Sequence, residues 1–299
     1  MEAGDIGKQY ASDDDFKKQA RLHQSKYRAE VLRVGWQDYG NRLRDEDAQE
    51  GGLLNYYDQL NSRDVWKKRF NSSYSRKRDA DMLRSEHIPF NLLAPLDTDR
   101  QLAVTVIHNA FGVTCQSIDM IEMEYAPKPR RDFLGDRTAF DTYIQATMPD
   151  GKICGLGIEV KYTERAYRIG NTEKMNMEDK SSRYWVVARN SSAFIDSDAS
   201  IFKKDNMRQI WRNHLLGLSM KNKHQAERGM IDDFYSITLF PDGNEHFHEH
   251  LRKYCNLLQV DEQAKVLCCT FEKFIAAIGG SAEFDTLRQW LERRYLFVC

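Results

Sequence analysis

Residues 138–164 read TAFDTYIQATMPDGKICGLGIEVKYTE and decide the fold, because they predict two strands joined by a tight turn. The turn is residues 149–152, PDGK, in which Gly151 is free to adopt a positive φ. Strand alternation sorts the first strand into two faces, with Phe140 on a mainly apolar face and Asp141 on the other. The pattern therefore predicts a hairpin at the centre of a sheet.

The second strand of this hairpin carries polar side chains on one face only. Its apolar face consists of Leu156, Ile158, Val160 and Tyr162. Glu159 and Lys161 share the other face with Gly155 and Gly157, and the two glycines are expected to leave open space there. If the strands pair, Asp141 joins Glu159 and Lys161 in one pocket. Two carboxylates suit Mg²⁺, and a neighbouring ammonium suits a phosphate or an attacking water, so the trio predicts metal-assisted hydrolysis.

The spacing acidic-x-Lys is not specific by itself. It also occurs, in polar or turn contexts, at Asp15–Lys17, Asp150–Lys152 and Glu178–Lys180. Only the pair Glu159 and Lys161 follows an apolar strand with an aspartate on the strand before it. The alternative for this pair is an ordinary solvated strand face.

The motif FD at 140–141, followed by EVK at 159–161, resembles the PD-(D/E)XK nuclease superfamily, with Phe140 in place of the family's proline. The wider run LGDRTAFD, PDGK and IEVKYTE is similar to its restriction-endonuclease-like branch of bacterial proteins called PGN_0703-like. The resemblance implies an α/β fold with an αβββαβ core, in which helices flank a central mixed sheet. We expect this domain at residues 81–299, after an N-terminal helical extension at residues 1–80.

The resemblance also implies roles for individual residues. Asp141 and Glu159 would hold Mg²⁺ or Mn²⁺, helped by the backbone carbonyl of Val160, and Lys161 would orient the attacking water. Glu86 matches a helix glutamate that approaches the metal site in family members, although a surface glutamate is the alternative.

The run QIWRNHLL at 209–216 resembles the helix that follows the catalytic strand in the superfamily. Gln209 would support the site and Arg212 would bind phosphate, whereas the alternative is an ordinary polar helix face. His214 follows the apolar register and is interpreted as a core histidine. On the first core strand, either Glu122 or Glu124 is expected to face the site, or to form an edge ion pair instead.

Composition sets the class of protein. The 299 residues carry a net charge of −1 and include six cysteines, none in a CxxC pair, which favours reduced thiols and a cytoplasmic protein. The first twenty residues are polar and acidic, so no secretory signal peptide is expected. No apolar run approaches the roughly 20 residues of a membrane span, so no membrane partner is predicted.

Basic residues are concentrated in two clusters, although the overall charge is close to neutral. Residues 63–78 contain seven basic residues and one acidic residue, and a second cluster lies at residues 128–137. The expected phosphate contacts in these clusters are Lys67, Lys68, Arg69, Arg130 and Arg131. The alternative is that both clusters are solvated surface.

The long polar stretch at residues 165–200 shows little periodicity and predicts a mobile loop. Together, these patterns predict a divalent-metal-dependent nuclease acting on nucleic acid, with DNA as the expected substrate, and leave a homodimer open. Two other classes remain: a catalytically silent DNA-binding or regulatory protein on a nuclease-like fold, and a protein-protein interaction module using the basic N-terminal extension.

Overall fold

The computed structural model of the protein describes residues 5–49, 52–164, 169–225 and 229–297. The strands in these ranges are β1 (Trp36–Gln37), β2 (Tyr39–Leu43), β3 (Ser117–Tyr125), β4 (Phe140–Thr147), β5 (Ile153–Val160), β6 (Asp233–Phe240) and β7 (Val266–Thr270). The helices are α1 (Asp15–Lys26), α2 (Asp45–Ala48), α3 (Ser62–Phe70), α4 (Ile88–Leu92), α5 (Arg100–Phe111), α6 (Asn171–Glu178), α7 (Arg183–Asn190), α8 (Arg208–Met220), α9 (Glu245–Cys255), α10 (Val260–Gln263), α11 (Phe271–Ala276) and α12 (Ala282–Tyr295).

The centre of the fold is a mixed sheet of five strands in the order β3-β4-β5-β6-β7. The pairs β3/β4 and β4/β5 are antiparallel, whereas β5/β6 and β6/β7 are parallel. The hairpin predicted at 138–164 is therefore confirmed as β4 and β5. Gly151 in its turn has a φ of 83°, and its N–H donates to the carbonyl of Met148 at 2.9 Å.

Hydrophobic clusters cover both faces of this sheet, as expected for a sheet with a parallel half. On one face, Leu156, Ile158 and Val160 of β5 join a cluster that includes residues of α5, α11 and α12. On the other face, β6 packs against α8, and residues of both join a cluster that includes residues of α7 and α9. Helices, three antiparallel strands, the helices α6 to α8 and a parallel strand follow one another along the chain, so the predicted αβββαβ order is confirmed, with α6 and α7 as additional helices before α8.

The N-terminal region contacts the core closely. The side-chain amide of Gln24 in α1 donates to the hydroxyl of Tyr162 at 2.8 Å and to the carbonyl of Arg294 at 2.7 Å. Trp66 of α3 is fully buried in the same cluster as β5. The region is helical as predicted, but it also contains the small sheet β1–β2, and the boundary at residue 80 stays a prediction.

The prediction of a long loop at 165–200 is wrong for the part that the structure describes, and residues 165–168 lie outside the described ranges. The stretch instead forms helices α6 and α7, which bury Met177 of α6 and the aromatic side chains Tyr184 and Trp185 of α7. The ring of Trp185 lies 4.8 Å from that of Trp211 in α8. In the described ranges, no helix is long and apolar enough to cross a membrane.

Candidate active site

A cavity of about 980 Å³ opens where β5 ends and β4 begins, and we call it the carboxylate cavity. Its acidic lining residues are Glu86, Glu124, Asp136, Asp141, Glu159, Glu164 and Glu173. Its basic lining residues are Arg84, Arg130, Arg137, Lys161 and Arg212. The predicted trio of Asp141, Glu159 and Lys161 therefore lines one cavity.

Strand pairing places Asp141 beside the end of β5. The register pairs Thr142 with Ile158, and the Asp141 carboxylate then accepts the N–H of Val160 at 2.7 Å. Because the N–H and C=O of one strand residue point to the same side, the carbonyl of Val160 is also directed towards β4. The carboxylate and the predicted carbonyl ligand thus lie on the same edge of β5.

Three side chains fix the carboxylate of Glu159. The Lys161 ammonium and the Gln209 amide donate to its Oε1, and the Asn213 amide donates to its Oε2 at 2.6 Å. Gln209 and Asn213 are four residues apart on α8, so their side chains lie on one face of the helix. The predicted supporting role of Gln209 agrees with this contact. Asn213 was missed, although its helical spacing from Gln209 is visible in the sequence.

Lys161 is buried between acidic groups. Burial lowers the pKa of its ammonium, but the neighbouring carboxylates, chiefly Glu159 and Asp141, outweigh burial and hold the pKa above its ordinary value. Glu164 contributes to this effect and accepts hydrogen bonds from the Ser85 N–H and hydroxyl and from the Tyr162 N–H, each at 3.0 Å. Lys161 is therefore a fixed positive charge at neutral pH.

The other carboxylates of the cavity are crowded. Burial raises the pKa of Asp141 well above its ordinary value, and the negative charge of Glu159 raises it further. Burial also raises the pKa of Glu124 to about 7, with contributions from Glu159 and Glu86, although Arg69 opposes the rise. A cavity with more negative charge than it can solvate favours a bound cation.

The donor atoms fit a hard divalent cation. Oδ1 of Asp141 accepts no hydrogen bond from the described residues, and Oε2 of Glu159 accepts only the one from Asn213. Each carboxylate therefore keeps acceptor capacity, and the Val160 carbonyl points to the same edge. The described residues contain no group of three or more His, Cys, Asp or Glu side chains arranged for a metal. Mg²⁺ sites do not require one, because Mg²⁺ is commonly held by one or two carboxylates plus water and substrate phosphate.

The glycines of β5 do not leave open space, so that part of the sequence interpretation is wrong. A Cβ on Gly157 would lie 2.5 Å from the ring of Phe140 and 2.6 Å from that of Phe234, and one on Gly155 would meet Tyr143 at 2.9 Å. Phe140 correspondingly packs in the cluster on the α8 side of the sheet, whereas Ile144 and Ala146 of β4 belong to the cluster on the opposite side. The glycines admit aromatic rings, and the cavity lies beyond them at the strand end.

Glu86 and Glu124 approach the trio from other elements. Glu86 lines the cavity at a one-turn 3-10 helix, 85–87, and accepts a hydrogen bond from Arg84 at 2.9 Å. Glu124, near the end of β3, is the glutamate of that strand that lines the cavity. Its φ of 55° lies in the left-handed region that few residues other than glycine adopt, and Arg69 donates to its carbonyl at 2.8 Å.

Arg212 reaches the cavity but is largely engaged by the protein. Its Nε donates to the hydroxyl of Tyr184 at 2.9 Å, and its Nη2 donates to the hydroxyl of Thr138 at 2.8 Å. Asp136 and Glu173 lie 4.0 and 3.8 Å from Nη2. These contacts join the segment before β4 with α6, α7 and α8 around the cavity, so Arg212 has a structural role.

The other basic residues differ in their distance from the carboxylates. Arg130 lines the cavity, as does Arg137, which belongs to the same predicted cluster. Lys67, Lys68, Arg69 and Arg131 are not among the described lining residues. His214 is confirmed as a core histidine, since its ring nitrogens contact Tyr254 at 2.9 Å and Glu262 at 3.0 Å.

Comparison with known proteins gives one match. A sequence model described as the PD-(D/E)XK nuclease superfamily matches residues 11–297, which is nearly the whole chain, and it names no specific branch. Neither a curated protein nor a solved structure matches the chain. The five-stranded mixed sheet and the trio at the strand ends are consistent with the restriction-endonuclease-like fold. The chain therefore belongs to the PD-(D/E)XK nuclease superfamily.

Proposed function

We propose that this protein is a nuclease that hydrolyses phosphodiester bonds of DNA with Mg²⁺ or Mn²⁺. One observation carries the proposal: Asp141 and Glu159, from two paired strands, line a single open cavity together with Lys161. Membership of the superfamily supports hydrolysis of nucleic acid, and the donor atoms described above support a divalent cation. The branch similar to PGN_0703-like proteins, a cytoplasmic location and a homodimer stay predictions.

Different residues of the cavity would have different roles in hydrolysis. Asp141, Glu159 and the carbonyl of Val160 would hold the cation, which supplies Lewis acidity to the scissile phosphate when bound. Lys161 is a fixed cation beside this position and would orient the attacking water and stabilise charge on the phosphate. Gln209 fixes the carboxylate of Glu159, and the cavity is preorganised as a result.

Two arginines at the rim support a polyanionic substrate. Arg130 and Arg137 line the carboxylate cavity, and neither makes an ion pair or hydrogen bond with a side chain in the described ranges. Exposed guanidinium groups beside a hydrolytic site suit a phosphate backbone. We extend the proposed phosphate contacts to Arg131, Lys67, Lys68, Arg69 and Arg212, which were predicted from the sequence.

The experiment is a cleavage assay on plasmid, linear duplex and single-stranded DNA with Mg²⁺, with Mn²⁺, or with EDTA. Asp141→Asn and Lys161→Met should each lower cutting by at least about 100-fold, because each removes a group that acts on the reacting phosphate. Asp150→Asn and Lys152→Met are matched controls. They alter an exposed acidic-x-Lys pair in the β4–β5 turn, with its charges 2.7 Å apart, and should leave cutting unchanged. Cutting that survives in both trio variants would refute the proposal.

The main alternative, a silent DNA-binding protein, makes a different prediction. Calorimetric titration of Mn²⁺ should give binding that Asp141→Asn abolishes if the site holds a metal. A protein that binds DNA but neither cuts it nor binds Mn²⁺ through this carboxylate would favour the alternative.

A further inference from the structure

A second cavity of about 290 Å³ adjoins the carboxylate cavity, and we call it the Tyr10 cavity. Its lining residues are Tyr10, Asp13, Lys17, Arg21, Tyr39, Arg42, Asp81, Leu83, Arg84, Thr163 and Glu164. Arg84 and Glu164 line both cavities, so the two spaces meet at these residues. Tyr10, α1 and β2, with the residues next to them, supply one wall, and residues 81–84 together with residues 163–164, which follow β5, supply the other.

Flat side chains dominate the N-terminal wall. The rings of Tyr10 and Tyr39 lie 5.6 Å apart and nearly perpendicular, at 87°. The guanidinium of Arg21 lies 5.8 Å from the first ring and 5.2 Å from the second, and that of Arg42 lies 5.6 Å from the Tyr39 ring. Tyr10 is 45% exposed, so part of its ring surface is open to a ligand.

The charged groups of this wall are already paired. Arg21 donates to Asp13 at 2.6 Å, and Arg42 lies 3.3 Å from Asp81. Paired guanidinium groups attract a bare phosphate weakly, but their planes still offer a stacking surface. The carboxylates, in turn, can accept hydrogen bonds from the amino and imino groups of a base edge.

We propose that the Tyr10 cavity binds an unpaired nucleobase that flanks the phosphate held in the carboxylate cavity. This inference rests on the proposed nuclease function and narrows its substrate to single strands, or to structures with an unpaired stretch at the cut. Its volume is close to the lower end of small-ligand pockets, roughly 300 Å³, which suits one base better than a paired segment. A base inside a duplex is stacked on its neighbours and must leave that stack to enter.

The test measures binding without cleavage, in EDTA, by fluorescence anisotropy with the full chain. The probes are a labelled single-stranded DNA oligonucleotide, a set of its derivatives with one abasic site at each position, and a blunt duplex. Tyr10→Ala should weaken binding of the single strand by about 5- to 150-fold, the range expected for one base stacked on an aromatic side chain. Tyr10→Phe keeps the ring and should retain wild-type affinity, and duplex binding should be the same in all three proteins.

The abasic derivatives locate the base. In the wild-type protein, an abasic site at one position should weaken binding as much as Tyr10→Ala weakens binding of the intact strand. In Tyr10→Ala, the same abasic site should weaken binding no further. Any of three results would overturn the inference. Tyr10→Ala could bind the single strand as tightly as wild type, or Tyr10→Phe could lose as much affinity as Tyr10→Ala. Every abasic site could also weaken binding by Tyr10→Ala as much as it weakens binding by wild type. Metal-dependent cutting with no Tyr10 effect would overturn only this inference. If single-strand binding depends on Tyr10 but no DNA is cut, the proposed nuclease function is wrong and the proposed base site is retained.

Discussion

Glu124→Gln should stabilise the metal-free protein, and the effect should depend on pH. The folded protein raises the pKa of Glu124 from an ordinary 4.5 to about 7, mainly because the carboxylate is buried. The folded state therefore keeps a proton that the unfolded chain releases, and the free energy of unfolding falls as pH rises from about 4.5 to 7. At about 1.4 kcal/mol for each pKa unit, the difference amounts to about 3 kcal/mol above pH 7. Glutamine keeps the shape and removes the charge.

Urea unfolding in EDTA, at about pH 5 and about pH 8, measures this effect. The free energy of unfolding of wild type should fall from the lower to the higher pH, whereas that of Glu124→Gln should fall less. At the higher pH, the free energy of unfolding of Glu124→Gln should exceed that of wild type by up to about 3 kcal/mol. Glu122→Gln is the matched control, because this glutamate lies on the same strand but is not among the cavity-lining residues. Identical pH dependence in wild type and Glu124→Gln would refute the view that this carboxylate is buried among like charges.

Three further changes have expected outcomes. The ring nitrogens of His87 are buried and have no hydrogen-bond partner among the residues that the structure describes, and burial, with nearby Arg294, lowers the pKa of His87 well below its ordinary value. As the pH falls, the unfolded chain therefore binds a proton at this position before the folded protein does, and the free energy of unfolding decreases. His87→Phe should remove this decrease, which is up to about 1.4 kcal/mol for each pH unit below about pH 6.5. Urea unfolding measures the effect. Gly157→Ala should destabilise the protein by about 1–3 kcal/mol in the same assay and lower cutting, because its Cβ would overlap the ring of Phe140. Arg137→Ala should weaken the salt dependence of DNA binding, because it removes one phosphate contact. The slope of the logarithm of the association constant against the logarithm of the salt concentration should become less negative by about 0.7–0.9.

These predictions fail in different ways. A His87→Phe protein with the wild-type acid response would show that this histidine is not held neutral. Full stability in Gly157→Ala would show that the aromatic rings can move away from β5. Arg293→Ala is the control for Arg137→Ala, because Arg293 is exposed, is not among the described cavity-lining residues and is not a proposed phosphate contact. Equal salt slopes in these two arginine variants would contradict a specific phosphate contact at the rim.

The hairpin and the trio could be predicted because their signals are local. Alternation along β5 separates Glu159 and Lys161 from the apolar face, and Gly151 marks the turn that returns the chain to Asp141. The apolar spacing in α8 likewise predicts a helix packed on the core, although residues 210–218 are buried on all sides and not on one face only.

The features that the sequence does not predict depend on contacts between residues that are far apart in the chain. Asn213 fixes a carboxylate 54 positions earlier in the chain, and its helical spacing from Gln209 does not by itself show which distant group the two amides contact. The stretch 169–200 looks like a loop because the ring that buries Trp185 belongs to α8. The Tyr10 cavity forms only when residues of the N-terminal region meet the residues after β5, so no local pattern in the sequence predicts it.

The most direct test of the central claim is an anomalous diffraction measurement on crystals grown with Mn²⁺. The account predicts an anomalous peak between the carboxylates of Asp141 and Glu159, within ligand distance of the Val160 carbonyl, and loss of that peak in Asp141→Asn. A well-ordered carboxylate cavity without such a peak at saturating Mn²⁺, or a peak that persists in Asp141→Asn, would contradict it.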